Sequence, residues 1–300
     1  MRTYLDCIPC FLRLTLEQAR LLTGDEAVHR ELMNEAVRLV PDFSLGLTPP
    51  RMVKAMQEVI RRRFPGCDPY KKAKDQSNRR ALELYPMLKE KLARSADRLL
   101  TAVEFAIAGN VIDYAAKNTL DIGEEIQKLL KDNFTAGRKG VFEYEGFRKS
   151  LKSAKTVLYL ADNAGEIVFD RIFIEEFCDQ RKVIFAVRGK PVINDALKED
   201  AVFCGIDKIA QVISSGVDAP GTILKYCSDE FLKIFRRADI VISKGQGNFE
   251  SLSQEKRGIF FLFMVKCPVI AKETGCKMRD VVLLCNLNKN GTIGNKKISG

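Results

Sequence analysis

Short apolar runs rich in β-branched residues recur through the second half of the chain, and they constrain the fold more than any other feature. Runs of this length, bounded by polar residues, are typical of buried strands. They start about 20 to 30 residues apart, which leaves room for a crossover helix between successive strands. The pattern predicts an α/β fold with a largely parallel sheet and helices on both faces. The predicted strands span residues 156–161, 183–187, 208–213, 239–243, 259–265 and 281–285.

The first half of the chain has a different pattern, with apolar residues that recur at helical spacing, as at Leu84, Leu88 and Leu92. The stretch from Ser95 to Ala116 is apolar on nearly every side at its centre, which predicts a buried helix. No linker rich in Pro, Gly or Ser separates the two halves. We therefore expect a helical region over residues 1–150, packed on an α/β region over residues 151–300.

The composition excludes several classes of protein. Hydrophobic residues make up 46% of the 300 positions and charged residues 29%, as in ordinary soluble globular proteins. No stretch of about 20 uncharged apolar residues is present, so we expect no membrane span, and the N-terminus has no secretory-signal pattern. The nine cysteines are scattered without the spacing of a disulfide framework, which indicates reduced thiols. We expect a cytoplasmic protein.

A formal net charge of +10 raises the question of nucleic-acid binding. The basic residues are interleaved with 39 acidic residues, and the densest basic clusters, 61–63 and 71–74, are short. A pattern this diffuse favours an ordinary solvated surface over a nucleic-acid site. The basic balance also suits a small anionic substrate, so charge alone does not identify the partner.

Polar loops follow three of the predicted strands at the point where each strand ends. In a parallel sheet these ends meet at one edge, where open α/β sheets bind their ligands. We therefore expect the three loops to converge there. The loops span residues 162–166, 188–195 and 244–250, and they read DNAGE, RGKPVIND and KGQGNFE.

Asp162, Asn163 and Asp195 form a candidate metal site across the first two loops. Two carboxylates and one amide oxygen suit a divalent ion such as Mg²⁺ or Mn²⁺, with water and substrate in the other positions. Alternatively, Asp162 caps the helix that follows and Asn163 fills a turn. The single histidine, His29, lies far from these loops in a helical stretch. Zinc sites rich in histidine and Ser-His-Asp triads are therefore excluded.

The third loop, Lys244 to Asn248, is a candidate phosphate cradle. Its two glycines let backbone N–H groups approach an anion, a helix N-terminus follows, and Lys244 supplies positive charge. The loop is neither a Walker A sequence nor a Gly-x-Gly-x-x-Gly motif. The alternative is an ordinary glycine turn, but we expect a phosphate site.

Two further features leave their roles open. Asn110 and Asp113 share a face of the predicted buried helix, next to Gly109, and either contact substrate or hydrogen-bond neighbouring helices. Cys7 and Cys10 form a Cys-x-x-Cys motif with no second close pair and no preceding strand. We therefore favour thiols buried at a helix start over a zinc or redox role.

Taken in order, these motifs resemble those of the metal-dependent damage-control phosphatase family, and the N-terminal cysteine pair is similar to that of its microbial Cys-x-x-Cys subfamily. The resemblance covers essentially the whole chain. It implies a Rossmann-like, three-layer α/β/α region and hydrolysis of phosphate monoesters with Mn²⁺, Mg²⁺, Co²⁺ or Ni²⁺. It also implies that Asp162, Asn163 and Asp195 hold the metal and that Lys244 holds the phosphate. The expected substrate-binding residues are Asn110, Asp113, Glu166, Arg188, Gly245, Gln246, Gly247 and Asn248.

Two nucleophiles remain open for such a reaction. Water activated by the metal is favoured, because a carboxylate that binds the metal has its lone pairs engaged. Attack by Asp162, with formation of an aspartyl-phosphate, is the alternative. The sequence leaves the natural substrate, the preferred metal and the oligomeric state open.

Two other functional classes remain as alternatives. A non-catalytic module that binds a phosphorylated metabolite or nucleotide needs the glycine loop but not the acidic residues. A methyltransferase is less consistent with the sequence, because such enzymes typically have a glycine-rich loop after the first strand. Here that position holds Asp162 and Asn163.

Overall fold

The computed structural model describes residues 1–116 and 139–287, and the side chains of residues 110–116 lie outside that description. The described N-terminal part is helical, as the sequence predicts. Asp25 caps the second helix by accepting a hydrogen bond from the Ala27 amide. Pro49 and Pro50 occupy the first turn of the third helix. Backbone N–H groups in a first turn have no partner within the helix, so the N–H that proline lacks is not needed there. The helices are α1 (Ile8–Leu22), α2 (Glu26–Leu39), α3 (Pro49–Arg63), α4 (Lys71–Ala93) and α5 (Arg98–Ala116).

A seven-stranded sheet lies in the described part of the second half. Its strands are β1 (Lys139–Phe142), β2 (Thr156–Leu160), β3 (Lys182–Val187), β4 (Gln211–Ser214), β5 (Ile240–Lys244), β6 (Phe260–Met264) and β7 (Val281–Cys285). The order is β1-β7-β6-β5-β2-β3-β4, and neighbours are parallel except for the antiparallel pair β6 and β7. The prediction of a largely parallel sheet is therefore confirmed.

Six further helices in the described part of the chain connect or flank the strands. They are α6 (Tyr144–Ser153), α7 (Glu166–Glu175), α8 (Lys198–Phe203), α9 (Asp229–Arg237), α10 (Gln246–Leu252) and α11 (Pro268–Thr274). Together with the sheet they make three layers. Among the described residues, no helix has both the length and the apolar character needed to cross a membrane.

Each face of the sheet is buried in its own apolar core, because successive side chains of a strand point to opposite faces. On β2, Val157 and Tyr159 enter the core shared with α4, α5 and α7, while Leu158 and Leu160 enter the core shared with α9, α10 and α11. Both faces are therefore covered, which explains why β2 and its neighbour β3 are apolar after their first residue.

The helix α5 is buried against α7, and this contact explains Gly109. A Cβ atom at Gly109 would lie 3.0 Å from two atoms of the Phe169 side chain. Ala106 and Ile107 are also fully buried there. The glycine therefore permits close helix packing, and the prediction of a buried helix in this segment is confirmed.

Ion pairs join the N-terminal helices to the sheet. Lys54 and Arg61 of α3 bind Asp218, in the loop after β4, at 2.7 and 2.8 Å. Arg61 also donates to the Pro191 carbonyl at 3.1 Å, in the loop after β3. The helix α3 is thereby fixed against two loops at the carboxyl edge of the sheet.

The central strand β2 lies at a topological switch point. The chain runs from β2 outward to β3 and β4, then returns to form β5 on the other side of β2. In open α/β sheets the crevice for ligands lies at the carboxyl end of such a pair of strands. The loops after β2 and β5 flank that crevice.

Five of the six predicted strands match the observed ones within one residue at each end. The predicted strand 208–213 is shifted, because residues Ile206–Lys208 form a 3-10 turn and β4 starts at Gln211. The sequence did not predict β1, which lies before residue 150 and joins the edge of the sheet beside β7.

Candidate functional site

Asp162 and Asn163 lie just past the end of β2, where their loop is fixed to the loop after β3. The Ala196 amide donates a hydrogen bond to the Asp162 carbonyl at 2.8 Å. Asn163 is paired with Asp195 in an isolated antiparallel bridge. The first two loops of the sequence prediction therefore meet at the carboxyl edge of the sheet.

Three buried carboxylates, those of Asp162, Glu166 and Asp195, lie in this region. Asn163 Nδ2 donates to Asp162 Oδ2 at 2.8 Å and to Glu166 Oε2 at 3.1 Å, so one amide group joins two of the acids. Burial raises the pKa of Asp162 well above its ordinary value, and the charges of Glu166 and Asp195 raise it further. The cluster therefore concentrates negative charge where little water is available to screen it.

Asp162, Asn163 and Asp195 fit a divalent cation by the chemistry of their donor atoms. Carboxylate and amide oxygens are hard ligands, which Mg²⁺ and Mn²⁺ prefer. A cation would also offset the repulsion that raises the pKa of Asp162. Within the ranges that the structure covers, no group of three His, Cys, Asp or Glu side chains is arranged to hold a metal. The fit of these three residues to a cation therefore depends on two carboxylates and one amide oxygen.

Arg188, at the end of β3, has its guanidinium buried against Asp195. Nε donates to Asp195 Oδ2 at 2.6 Å, Nη1 donates to Thr222 Oγ1 at 3.0 Å, and Nη2 donates to Asn248 Oδ1 at 3.1 Å. The side chain is only 3% exposed. In this arrangement Arg188, which the sequence predicts to bind substrate, orients Asp195.

Asn248 braces the ends of the two central strands. Its Oδ1 accepts hydrogen bonds from the Thr222 amide and hydroxyl, each at 2.8 Å. Its Nδ2 donates to the Ala161 carbonyl at 3.1 Å and to the Lys244 carbonyl at 2.8 Å. The side chain of Asn248 therefore holds backbone in place, and the loops after β2 and β5 are fixed relative to each other.

The two glycines of the third loop allow close backbone approach. Gly245 has a φ of +79°, and a Cβ atom there would lie 2.0 Å from Asp162 Oδ2. A Cβ atom at Gly247 would lie 1.9 Å from the Pro220 carbonyl oxygen. Glycine is therefore required at both positions, and Gly245 brings the third loop into contact with the acidic cluster.

Lys244 is the last residue of β5, and its side chain is fully buried. Its ammonium group donates to the Ala106 carbonyl and to Glu166 Oε1, each at 2.7 Å, and to Asp170 Oδ1 at 2.6 Å. An ammonium group has three N–H donors, and here each has an acceptor. The structure thus places Lys244 on the interior side of Glu166.

The other predicted residues are distributed as follows. The Gln246 side chain contacts Glu250 and Cys267, while the side chains of Asn110 and Asp113 lie outside the described residues. Cys7 is the residue that precedes α1 and is partly buried, whereas Cys10 is exposed. The expectation that both thiols are buried is therefore wrong for Cys10, which the first turn of α1 directs to solvent.

Comparison with known proteins places the chain in a family. A family model described as the damage-control phosphatase ARMT1-like domain matches residues 3–282. The chain belongs to this family.

Two archaeal relatives and one solved structure resemble this family member closely. It is 36% identical over 293 residues to an uncharacterized protein of Methanocaldococcus jannaschii, with 93% of this chain and 94% of that protein covered. It is 34% identical over 295 residues to a damage-control phosphatase of Pyrococcus horikoshii, with 96% and 99% covered. A crystal structure of a DUF89 family protein from the same organism gives a TM-score of 0.86 at 31% identity, covering 95% and 99% of the two chains.

Lys266 lies near the candidate site of this damage-control phosphatase family member, and the sequence did not predict it. It follows β6, the neighbour of β5, and its amide donates to Gln246 Oε1 at 3.2 Å. Burial dominates the pKa of Asp162 and raises it, but the Lys266 charge opposes that rise. The ammonium group therefore lies near the acidic cluster. The strand-end argument, applied to the predicted strand 259–265, was the signal that could have found it.

The sequence also did not predict Asn78 of α4, whose side chain connects the helical region to the candidate site. Its Oδ1 accepts a hydrogen bond from the Gly165 amide at 2.7 Å, and its Nδ2 donates to Asp200 Oδ1 at 2.8 Å. The side chain is 1% exposed. Asn78 thereby fixes the backbone immediately before Glu166, and no motif in the sequence points to it.

Proposed function

We propose that this protein is a phosphatase that hydrolyses phosphate monoesters of small metabolites, using a divalent metal ion held by Asp162, Asn163 and Asp195. The proposal depends on one observation: the carboxylates of Asp162, Glu166 and Asp195 are buried close to one another at the switch point of the sheet. Membership of a family named for damage-control phosphatases supports a phosphatase role in metabolite repair.

Within the acidic cluster, some residues would bind the metal and others hold these ligands in position. Asp162 and Asp195 offer carboxylate oxygens for a cation, while Arg188 donates to Asp195 Oδ2 and so fixes the orientation of that carboxylate. A bound divalent ion supplies Lewis-acid stabilisation of the phosphoryl oxygens. Asn163 donates its Nδ2 protons to Asp162 and Glu166, which fixes the orientation of the amide plane.

In this proposal Lys266 supplies the positively charged side chain that binds a phosphate ester next to the acidic cluster. Charge on the phosphoryl oxygens is best stabilised by groups fixed in a site with little water. Lys266 is only partly buried, whereas Lys244 is fully buried and holds three acceptors. We therefore assign the contact with the substrate phosphate to Lys266, supported by the backbone of the loop from Gly245 to Asn248.

The test uses metal-stripped protein and a panel of phosphate monoesters, with Mn²⁺, Mg²⁺, Co²⁺ and Ni²⁺ restored one at a time. Hydrolysis is expected only with a metal present. Asp195→Asn keeps the side-chain shape and is expected to lower both activity and Mn²⁺ affinity by about 100-fold or more. Asp207→Asn, at an exposed position, is the matched control and should leave both unchanged.

Lys266→Met tests the phosphate contact separately. We expect about a tenfold rise in KM for the best ester, because one charge is lost from a partly solvated site. Lys272→Met, at an exposed position on α11, serves as the control. Binding of Mn²⁺ and of inorganic phosphate with no hydrolysis of any ester would overturn the proposal in favour of a non-catalytic binding module.

A further inference from the structure

The ammonium group of Lys244 has no donor left for a substrate. Its three acceptors are the Ala106 carbonyl, Glu166 Oε1 and Asp170 Oδ1, at 2.7, 2.7 and 2.6 Å. The side chain has no exposed area. Contact with a phosphate oxygen would break one of these bonds and leave a buried acceptor without its partner. The geometry therefore separates Lys244 from the substrate.

Asp170 extends the arrangement away from the acidic cluster. It lies on α7, one turn after Glu166, and its Oδ1 also accepts the Tyr159 hydroxyl proton at 2.7 Å. Tyr159 and Asp170 are both fully buried. Burial raises the pKa of Asp170 to about 7, against the opposing charge of Lys244. Tyr159 and Lys244 together fix one carboxylate oxygen of Asp170.

Glu166 connects this interior group to the candidate metal ligands. One of its oxygens, Oε1, accepts from Lys244 at 2.7 Å, and the other, Oε2, accepts from Asn163 Nδ2 at 3.1 Å. The same Nδ2 group donates to Asp162 Oδ2 at 2.8 Å. A continuous path of hydrogen bonds thus runs from the core of the sheet to the ligand set.

We propose that Lys244, Asp170 and Tyr159 form a buried positioning triad that sets the orientation of Glu166 and, through it, of Asn163 and Asp162. In this role Lys244 acts through Glu166 and does not contact the substrate phosphate, in contrast to the expectation from the sequence. The inference rests on the proposed function. It adds that the geometry of the metal site depends on residues without a substrate contact.

Tyr159→Phe tests the triad with the smallest change, the loss of one hydroxyl group. Partners of metal ligands typically contribute about tenfold to 100-fold in metal affinity or activity. Because Tyr159 is more distant from the ligands, we expect its replacement to cause a smaller loss, of about threefold to tenfold. The expected losses are in Mn²⁺ affinity, measured by isothermal titration calorimetry, and in kcat. At saturating Mn²⁺, the inhibition constant for inorganic phosphate and the KM are expected to stay within about twofold of wild type.

Tyr85→Phe is the matched control, because the Tyr85 hydroxyl also donates to a carboxylate, Glu175 Oε1, at 2.8 Å. That pair lies on α4 and α7 without a link to Asn163. Tyr85→Phe should leave Mn²⁺ affinity and kcat unchanged. Equal Mn²⁺ affinity and kcat in Tyr159→Phe and wild type would overturn the positioning role.

Lys244→Met distinguishes positioning from direct phosphate contact. Positioning predicts weaker Mn²⁺ binding with little change in the phosphate inhibition constant. A rise of tenfold or more in that constant, with Mn²⁺ affinity unchanged, would instead establish direct contact and overturn the proposal. If Lys244→Met does not fold, Tyr159→Phe decides the question. A wild-type protein that neither binds Mn²⁺ nor hydrolyses esters would overturn the proposed function itself, whereas a defect-free Tyr159→Phe overturns only the triad.

Discussion

Replacing Asn78 with leucine is expected to destabilise the protein strongly, because two buried hydrogen bonds disappear together. The Gly165 amide loses its acceptor at 2.7 Å, and Asp200 Oδ1 loses its donor at 2.8 Å. Leucine has a similar branched shape and fills the space of Asn78, so water cannot replace the lost groups. The donor and the acceptor both stay buried without a partner.

The magnitude follows from the cost of each unpaired group. A buried polar group that loses its partner costs about 1–3 kcal/mol. The other oxygen of Asp200 still accepts a hydrogen bond from the Leu197 amide at 2.9 Å. The free-energy cost of the lost bond to Asp200 therefore stays within this range of about 1–3 kcal/mol. The two groups together give about 2–6 kcal/mol, against a typical unfolding free energy of about 5–15 kcal/mol. The change is therefore large enough to measure.

Urea unfolding followed by circular dichroism measures this free energy for Asn78→Leu and wild type. Asn34→Leu is the control, since Asn34 is exposed on α2 and its replacement should change stability by less than about 0.5 kcal/mol. A loss below about 1 kcal/mol in Asn78→Leu, at an unchanged slope, would refute the reasoning. It would mean that neither hydrogen bond is needed to hold α4 against the start of α7.

Three other outcomes are expected. Gly245→Ala should weaken Mn²⁺ binding by about 100-fold in a calorimetric titration, without loss of the circular dichroism signal, because its Cβ would lie 2.0 Å from Asp162 Oδ2. Burial raises the pKa of Asp218, but its ion pairs with α3 outweigh burial and lower it. Its stabilisation is therefore complete above the ordinary pKa of 3.8 and is lost as pH falls through the lowered pKa of the folded state, so the difference in unfolding free energy between Asp218→Asn and wild type, measured by urea titration, should be largest at pH 7 and should shrink as pH falls below 3.8. Burial raises the pKa of Cys204 to about 12, so its thiol stays protonated at pH 8. Iodoacetamide labelling followed by mass spectrometry should modify the exposed Cys10 and Cys67 first, and Cys204 only after unfolding.

The sequence predicts the central strands well because they are buried on both faces. Strands such as β2, β3 and β6 are apolar at nearly every position, which distinguishes them from the helical spacing around them. The strand β1 escaped prediction because it has four residues, lies at an edge and is at most partly buried. The antiparallel direction of β7 was also invisible, since pairing direction leaves no mark in the sequence of a short buried strand.

The site was predictable where it depends on strand ends and unpredictable where it depends on helix packing. Asp162 and Asp195 follow predicted strands, and the structure brings their loops together. Lys266 follows a predicted strand too, so the same rule could have identified it. Asn78 could not be found this way, because it reaches Gly165 from a helix whose placement on the sheet depends on tertiary packing.

The position of the crevice between β2 and β5 has a consequence for the order in which the protein folds. The strands β2, β3 and β4 are consecutive in the chain, so they can pair early through contacts of modest sequence separation. Val157 instead pairs with Ile240, which requires closure of a much longer loop. An intermediate that holds only the early strands has Asp162 and Asp195 without Gly245 beside them. Such an intermediate already contains the proposed metal ligands Asp162, Asn163 and Asp195, so a divalent ion held by them would stabilise the paired strands β2 and β3 before β5 joins the sheet.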